Sequence, residues 1–243
     1  MSRLEKVHEF IGRWTEIDAE RKVQPEITNK LKNEHSKIIF KVAKQKLKPF
    51  GVVQLGKSRI WLDDRGWYTT QIEFQPSSWA RGTYLNIGVD FHWYKKQYMS
   101  FNLEGRQENF VEYKNDEQFT AEMEKFCDLI IKKILEIREN LRTIASAKKI
   151  ILKHNFQNDD LWGNYHKGTI CGLAGDFDKM NKYFNDLLKV ENDMQLQWIE
   201  DLKENVKHLQ SKTYDLELFK AEKLNIISET RKLKKLPEME INL

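Results

Sequence analysis

A chain of 243 residues that is 40% hydrophobic and 12% aromatic has enough apolar mass to bury a real core, which excludes disorder for most of its length. Forty-one Lys and Arg against 37 Asp and Glu leave a net charge of +4, a weak field for a chain this long and not that of a dedicated nucleic-acid binder. Two cysteines in apolar, helix-patterned surroundings, Cys127 and Cys171, read as buried reduced thiols and point to an intracellular setting.

The opening "MSRLEKVHEF" has no signal-peptide pattern, and no stretch reaches the roughly 18 uncharged residues of a membrane span, so the expected location is cytoplasmic with no membrane partner. From Pro25 onward Ile27, Leu31, Ile38, Val42, Ala43 and Leu47 share one face and predict a helix to residue 47, stopped by "KPFG". From Val52 the period changes to two. Segments 58–63, 67–75, 83–94, 99–103 and 109–113 are rich in β-branched and aromatic residues and are separated by "DDRG", "QPSSWARG", "YKKQ" and "EGRQ". Short connections between successive strands predict an antiparallel meander of about four to six strands.

After Tyr113 the strand vocabulary ends. Phe119, Met123, Phe126, Ile130, Ile134, Ile137, Leu141 and Ile144 predict a long helix opened by an Asn cap and breakable near its end. Further helices are expected at 159–174, 177–189, 190–210 and 214–235, with "KLPEMEINL" as a tail. The fold class is therefore α+β: an antiparallel sheet packed on long helices over 1–152, then a helical region over 153–243 that either stands alone or packs on the first as one unit.

Strand parity sorts the sheet into faces. Leu85, Ile87, Val89, Phe91 and Trp93 share one face, expected to pack on the helices at 26–47 and 116–150, while Tyr84, Asn86, Gly88, Asp90 and His92 share the other. The same rule sends Tyr68, Thr70, Ile72 and Phe74 inward, and Trp67, Thr69, Gln71, Glu73 and Gln75 outward; Arg59 and Trp61 are assigned outward with them. On that mixed face Glu73, Asp90 and His92 are of general acid, base or metal-ligand type if they converge, although alternating polar residues are also the mark of a solvated face. Trp61, Trp67 and Tyr84 on it would form an apolar patch that either the C-terminal helices or a partner must cover, with cover from within the chain favoured. Trp79 and Arg81 in "QPSSWARG" complete the candidate binding set. Trp79 is expected to fold back into the core, because a lone exposed tryptophan costs solubility; the alternative is a contact residue.

Two resemblances bear on this. Phe74-Gln75, Ser77 and Trp79, followed by Asn86-Ile87-Gly88 in the next strand, resemble an uncharacterised bacterial family of α+β domains of unknown function. The likeness covers about a fifth of the chain and implies an α+β fold, a bacterial source and a binding or toxin-immunity role, with no catalytic residues. "GNYHKGTICGLAGDFDKMNKYFNDLL" is similar to one tetratricopeptide hairpin, with Gly168 as small contact residue and Gly175-Asp176 at the turn, but a stack needs about three repeats. A plain helix-turn-helix with Gly175 ending one helix and Asp176 capping the next is expected instead.

No Walker loop, dinucleotide fingerprint, His-Glu-x-x-His or Cys-x-x-Cys is present, and the six histidines lack metal-ligand spacing, so no cofactor or metal is expected. Asp63-Asp64 before Arg65-Gly66 reads as a hairpin turn. The leading functional expectation is a non-enzymatic protein-interaction or immunity-type module. A hydrolase using Glu73, Asp90 and His92 is the alternative, and single-stranded nucleic-acid binding near Lys57, Arg59 and Arg81 the third. Periodicity does not decide the oligomeric state.

Overall fold

The computed structural model describes residues 34–211 and 215–243; the part of the first expected helix before residue 34 lies outside them. Helix α1 (Glu34–Leu47) ends in a 3-10 turn, and Gly51 at φ +78° reverses the chain. Strands β1 (Val53–Gln54), β2 (Ile60–Asp64), β3 (Tyr68–Pro76), β4 (Gly82–Phe91) and β5 (Leu103–Glu112) then form one antiparallel sheet whose order in space is their order in the chain.

The fifth strand corrects the expectation of two short ones at 99–103 and 109–113. "EGRQ" has turn composition, yet it pairs along β4 (Gly88 with Glu104, Ile87 with Gly105, Asn86 with Arg106), and a register shift between Thr83 and Asn86 absorbs the irregularity. Glu104 takes φ +64° at the start of this run. Residues 92–102 become the connection from β4 to β5.

Helix α2 (Asp116–Asn140) is opened by Asn115, whose side chain accepts from Gln118 N. It ends before residue 144, because Thr143 and Ser146 build a capping box that starts α3 (Ile144–Lys153). A π-helical turn, Asp159–Gly163, leads into α4 (Asn164–Leu173). Gly175 at φ +73° and Asp176, which caps Lys179 N, then turn the chain into α5 (Phe177–Leu188). The helix expected from residue 190 begins only at α6 (Gln197–Gln210), and α7 (Leu216–Leu233) completes the fold.

Ile72, Phe74, Leu85, Ile87, Val89 and Phe91 lie fully buried on the inner face of the sheet. Helix α2 contacts β3, β4 and β5, and α1 packs along α2, so Phe119, Met123, Ile130 and Ile134 meet this face. Removing one such side chain from water is worth about 1.5–3 kcal/mol, which makes the α2 stripe the main reason the sheet holds its shape. In the helical half, Gly168 and Gly172 let Phe184 and Phe219 lie against the backbone of α4: a Cβ would fall 2.3 and 2.5 Å from their rings.

Buried side chains from both stretches, before and after residue 152, belong to one contiguous cluster. Trp93 is the joint between them. It is buried as expected, but it meets the later helices: its Nε1 donates to His166 Nδ1 at 2.9 Å, and its carbonyl accepts from Tyr165 Oη at 2.8 Å.

Candidate functional site

The register corrects part of the parity assignment. β2 pairs with β3 as Trp61 with Ile72 and Asp63 with Thr70, so odd-numbered residues of β2 share the face of even-numbered residues of β3. Trp61 therefore sits on the inner face, 2% exposed. Arg59 is on that face too, its carbonyl accepting from Phe74 N. Trp67 precedes β3, outside the pleat, and stacks on Phe91 and Trp93 at 5.8 and 5.3 Å. Neither tryptophan has surface to offer a partner.

The outer face divides in two. Toward the C-terminal end of β4 it is roofed by the 92–102 connection and by the end of α7 with the tail, so Asp90 and His92 are fully buried. Asp90 takes Lys234 at 2.5 Å on one oxygen, and Lys96 at 2.8 Å and Ser100 at 3.0 Å on the other. Burial pushes its carboxyl up, but Lys96 and Lys234 together pull it below the usual range, so it stays an anion. His92 spends both ring nitrogens: Nδ1 is 3.0 Å from the Gly66 carbonyl and must donate to it, which leaves Nε2 to accept from Thr69 Oγ1 at 3.1 Å. Burial, then the Lys234 charge, drives its pKa to about 3, so it is a neutral structural imidazole.

Asp64, read from sequence as a turn residue, does cap Gly66 N, and it also holds both Nη atoms of Arg231 at 2.6 and 2.8 Å. Arg231 further donates to the carbonyls of Gly66 and Pro237, fixing the chain past α7 to the β2–β3 turn. On the inner side Asp63 holds Arg138 and Arg65. These two carboxylates are anchors for distant arginines.

Glu73 stands apart from Asp90 and His92. It faces Asn86 across β3–β4, whereas Asp90 faces Thr69, four residues further along β4 and so about 13 Å away at the usual strand rise. The three do not converge, and among the described residues no group of three or more His, Cys, Asp or Glu could hold a metal ion. The uncovered half of the face is a saturated polar lattice. Asn86 donates to Glu73 and Gln75, Arg106 donates to Asn86 and Gln75, and the Arg106 guanidinium lies 4.0 Å over the ring of half-buried Tyr84.

The β3–β4 loop, 77–81, is the most exposed element of the candidate set. Trp79 is 93% exposed, correcting the expectation that it folds into the core. The cause is geometric: Pro76 pairs with Thr83, so the six residues 77–82 close the connection and its middle projects beyond the end of the sheet. The loop is nonetheless held in shape. Trp79 N donates to Ser77 Oγ, the Arg81 carbonyl accepts from Tyr113 N at 2.9 Å, and Thr83 Oγ1 donates to the Gln75 carbonyl. Gly82, at φ +150°, lies so close to β5 that a Cβ would fall 2.1 Å from the Val111 carbonyl. The Arg81 side chain is exposed beside Trp79.

A second polar cluster, not anticipated from sequence, lies inside the helical half. Lys223 is fully buried and donates to the Trp93 carbonyl at 3.3 Å and Tyr165 Oη at 3.1 Å; burial pulls its pKa to about 7. Lysine on a helix is read as a solvated face, and only its position among Phe219, Ile226 and Ile227 hints otherwise. Enclosed beside fully buried Trp93 and Tyr165, it ties helix to strand.

No family model, curated protein or solved structure matches the chain. No helix among the described residues is long and apolar enough to cross a membrane.

Proposed function

We propose that the chain is a non-enzymatic protein-binding module of bacterial cytoplasm, of the immunity-protein kind, whose contact surface is the tip of the β3–β4 hairpin. The observation that carries this is Trp79, 93% exposed on a loop whose backbone is pinned at both ends. Tryptophan and arginine are enriched among the residues that anchor protein interfaces, and here they stand two residues apart on a loop whose backbone is held. The partner's complementary chemistry is an apolar pocket for the indole, rimmed by carboxylates facing Arg81. The hydrolase reading finds no support in the separated Glu73, Asp90 and His92.

A photo-crosslinking amino acid at position 79, expressed in the source cells, tests the proposal against a control at exposed Lys125 on α2. One dominant adduct from position 79 and none from 125, with the same partner lost from Arg81→Ala, is the expected result. Equal adducts from both positions overturn it. Quenching of Trp79 emission by a single-stranded oligonucleotide would transfer the surface to nucleic-acid binding.

A further inference from the structure

We infer that the corner where α1, the start of β2 and the end of the β3–β4 loop meet is an oxyanion-binding site built on Arg59 and His35. Arg59 Nη2 lies 2.6 Å from Ser36 Oγ and 3.1 Å from His35 Nε2. A guanidinium has no lone pair to offer, so it is the donor in both bonds and His35 Nε2 is an acceptor. The imidazole proton of neutral His35 is therefore on Nδ1. That Nδ1 has no partner at hydrogen-bond geometry, the Gly82 carbonyl being near enough only to offset a little of what burial, Arg59 and Arg81 do to the ring, and Arg59 Nη1 with its two N–H groups is likewise buried without a partner.

The unmatched atoms are thus all donors. His35 is 3% exposed, which rules out its Nδ1 being satisfied by bulk solvent. Buried donors left unpaired cost about 1–3 kcal/mol each, so a cluster of them is rare unless something supplies the acceptor. The charge is unmatched as well: among the described residues Arg59 has no carboxylate within ion-pair distance, and burial, then Arg59 and Arg81, hold His35 neutral, its pKa lowered to about 4. Among the described residues, three other deeply placed cations packed against the sheet have carboxylates: Arg138 has Asp63, Arg231 has Asp64, and Lys234 has Asp90. Arg59 instead has its Nη1 unmatched beside His35 Nδ1, with the exposed Arg81 near enough to act on the same imidazole. A phosphate or carboxylate oxygen is the acceptor this arrangement fits. The site stands whether or not Trp79 engages a protein.

Titration of the full chain with inorganic phosphate, and separately with acetate, at ionic strength held constant with sodium chloride, tests the assignment. The readouts are the melting temperature and the NMR resonance of the His35 Nδ1 proton. Expected is a saturable shift of that resonance with a rise in melting temperature. Arg59→Lys keeps the charge but loses the fork and should weaken binding tenfold or more; Arg106→Gln, on the outer face, should leave it unchanged. Tighter binding of phosphate assigns the site to phosphate esters, and tighter acetate to acidic side chains. Should Arg59→Lys fail to fold, Arg81→Gln provides the comparison, with a loss of several fold. An unmoved His35 resonance, or a melting temperature that follows ionic strength alone, means that water satisfies the donors and overturns the proposal, as does undiminished binding in Arg59→Lys.

Discussion

Lys223 Nζ on α7 donates to the main-chain carbonyl of Trp93, two residues past the end of β4 and 130 residues earlier in the chain. Its other acceptor is Tyr165 Oη, so a neutral amine, with two N–H groups, is fully matched, while the third N–H of an ammonium finds no partner. This is the geometric counterpart of a pKa pulled to about 7 by burial. In the unfolded chain the same group titrates near 10.4, so between about pH 7 and 10.4 the unfolded state binds more protons and stability must rise with pH. The slope from this group is about 1.4 kcal/mol per pH unit. Denaturant titrations at pH 7 and 9 should show wild type gaining stability and Lys223→Met gaining markedly less; equal gains would show that Lys223 is not titrating in this window.

Asp90 carries the charge balance of the roofed half of the sheet. Asp90→Asn leaves Lys96 and Lys234, whose side chains are 8% and 1% exposed, without a counter-charge. Breaking a buried pair in this way costs about 3–5 kcal/mol. Lys234→Met should cost less, because Lys96 and Ser100 still hold the carboxylate. Urea midpoints should fall in the order wild type, Lys234→Met, Asp90→Asn, and a reversal of the last two would refute this account.

How much of this was legible depends on what sets each feature. Leu85 to Phe91 and Ile72 with Phe74 fall on the inner face as alternation requires, because within one strand, and across β3–β4, the pleat alone decides. Trp61 and Arg59 were misplaced because the face of β2 relative to β3 is set by the register that the Arg65-Gly66 turn imposes, which strand periodicity does not contain. Trp67 was misplaced because it precedes the strand. The anchors Asp64–Arg231 and Asp63–Arg138 join residues 167 and 75 apart, and nothing local in "DDRG" names the partner. His35 and Arg59 belong to an amphipathic helix and a strand start, where each reads as ordinary surface; only their meeting exposes the orphaned donors.

Trp79 and Trp67 provide a paired measurement. Trp79 is 93% exposed and makes no ring contact among the described residues, so Trp79→Ala should change stability by less than about 1 kcal/mol. Trp67 is 5% exposed and stacks on two aromatic rings, so Trp67→Ala should cost about 3–5 kcal/mol. Thermal melts of the two variants decide it: a large loss from Trp79→Ala would mean that the loop folds against the sheet in solution.

The hairpin tip should be most sensitive at a residue with no side chain. Gly82 has φ +150°, and a Cβ there would meet the Val111 carbonyl at 2.1 Å and the Phe110 ring at 2.6 Å. The carbonyl belongs to β5, which pairs with β4 at Gly82–Glu112 and Thr83–Val111, so it has no room to yield without opening the ladder. Strain and overpacking of this kind each cost roughly 1–3 kcal/mol, and Gly82→Ala should incur both. Gly105, on the same strand pair, has nothing within 4 Å of its Cβ position, so Gly105→Ala should be tolerated within about 1 kcal/mol. The Gly82 change should also speed amide exchange at Tyr113, whose N–H bonds to the Arg81 carbonyl, and lower the yield of the position-79 crosslink relative to the same crosslinker in a chain that keeps Gly82. A Gly82→Ala protein with wild-type stability and unchanged Tyr113 exchange would mean that the loop is not pinned, and the rigid placement of Trp79 would go with it.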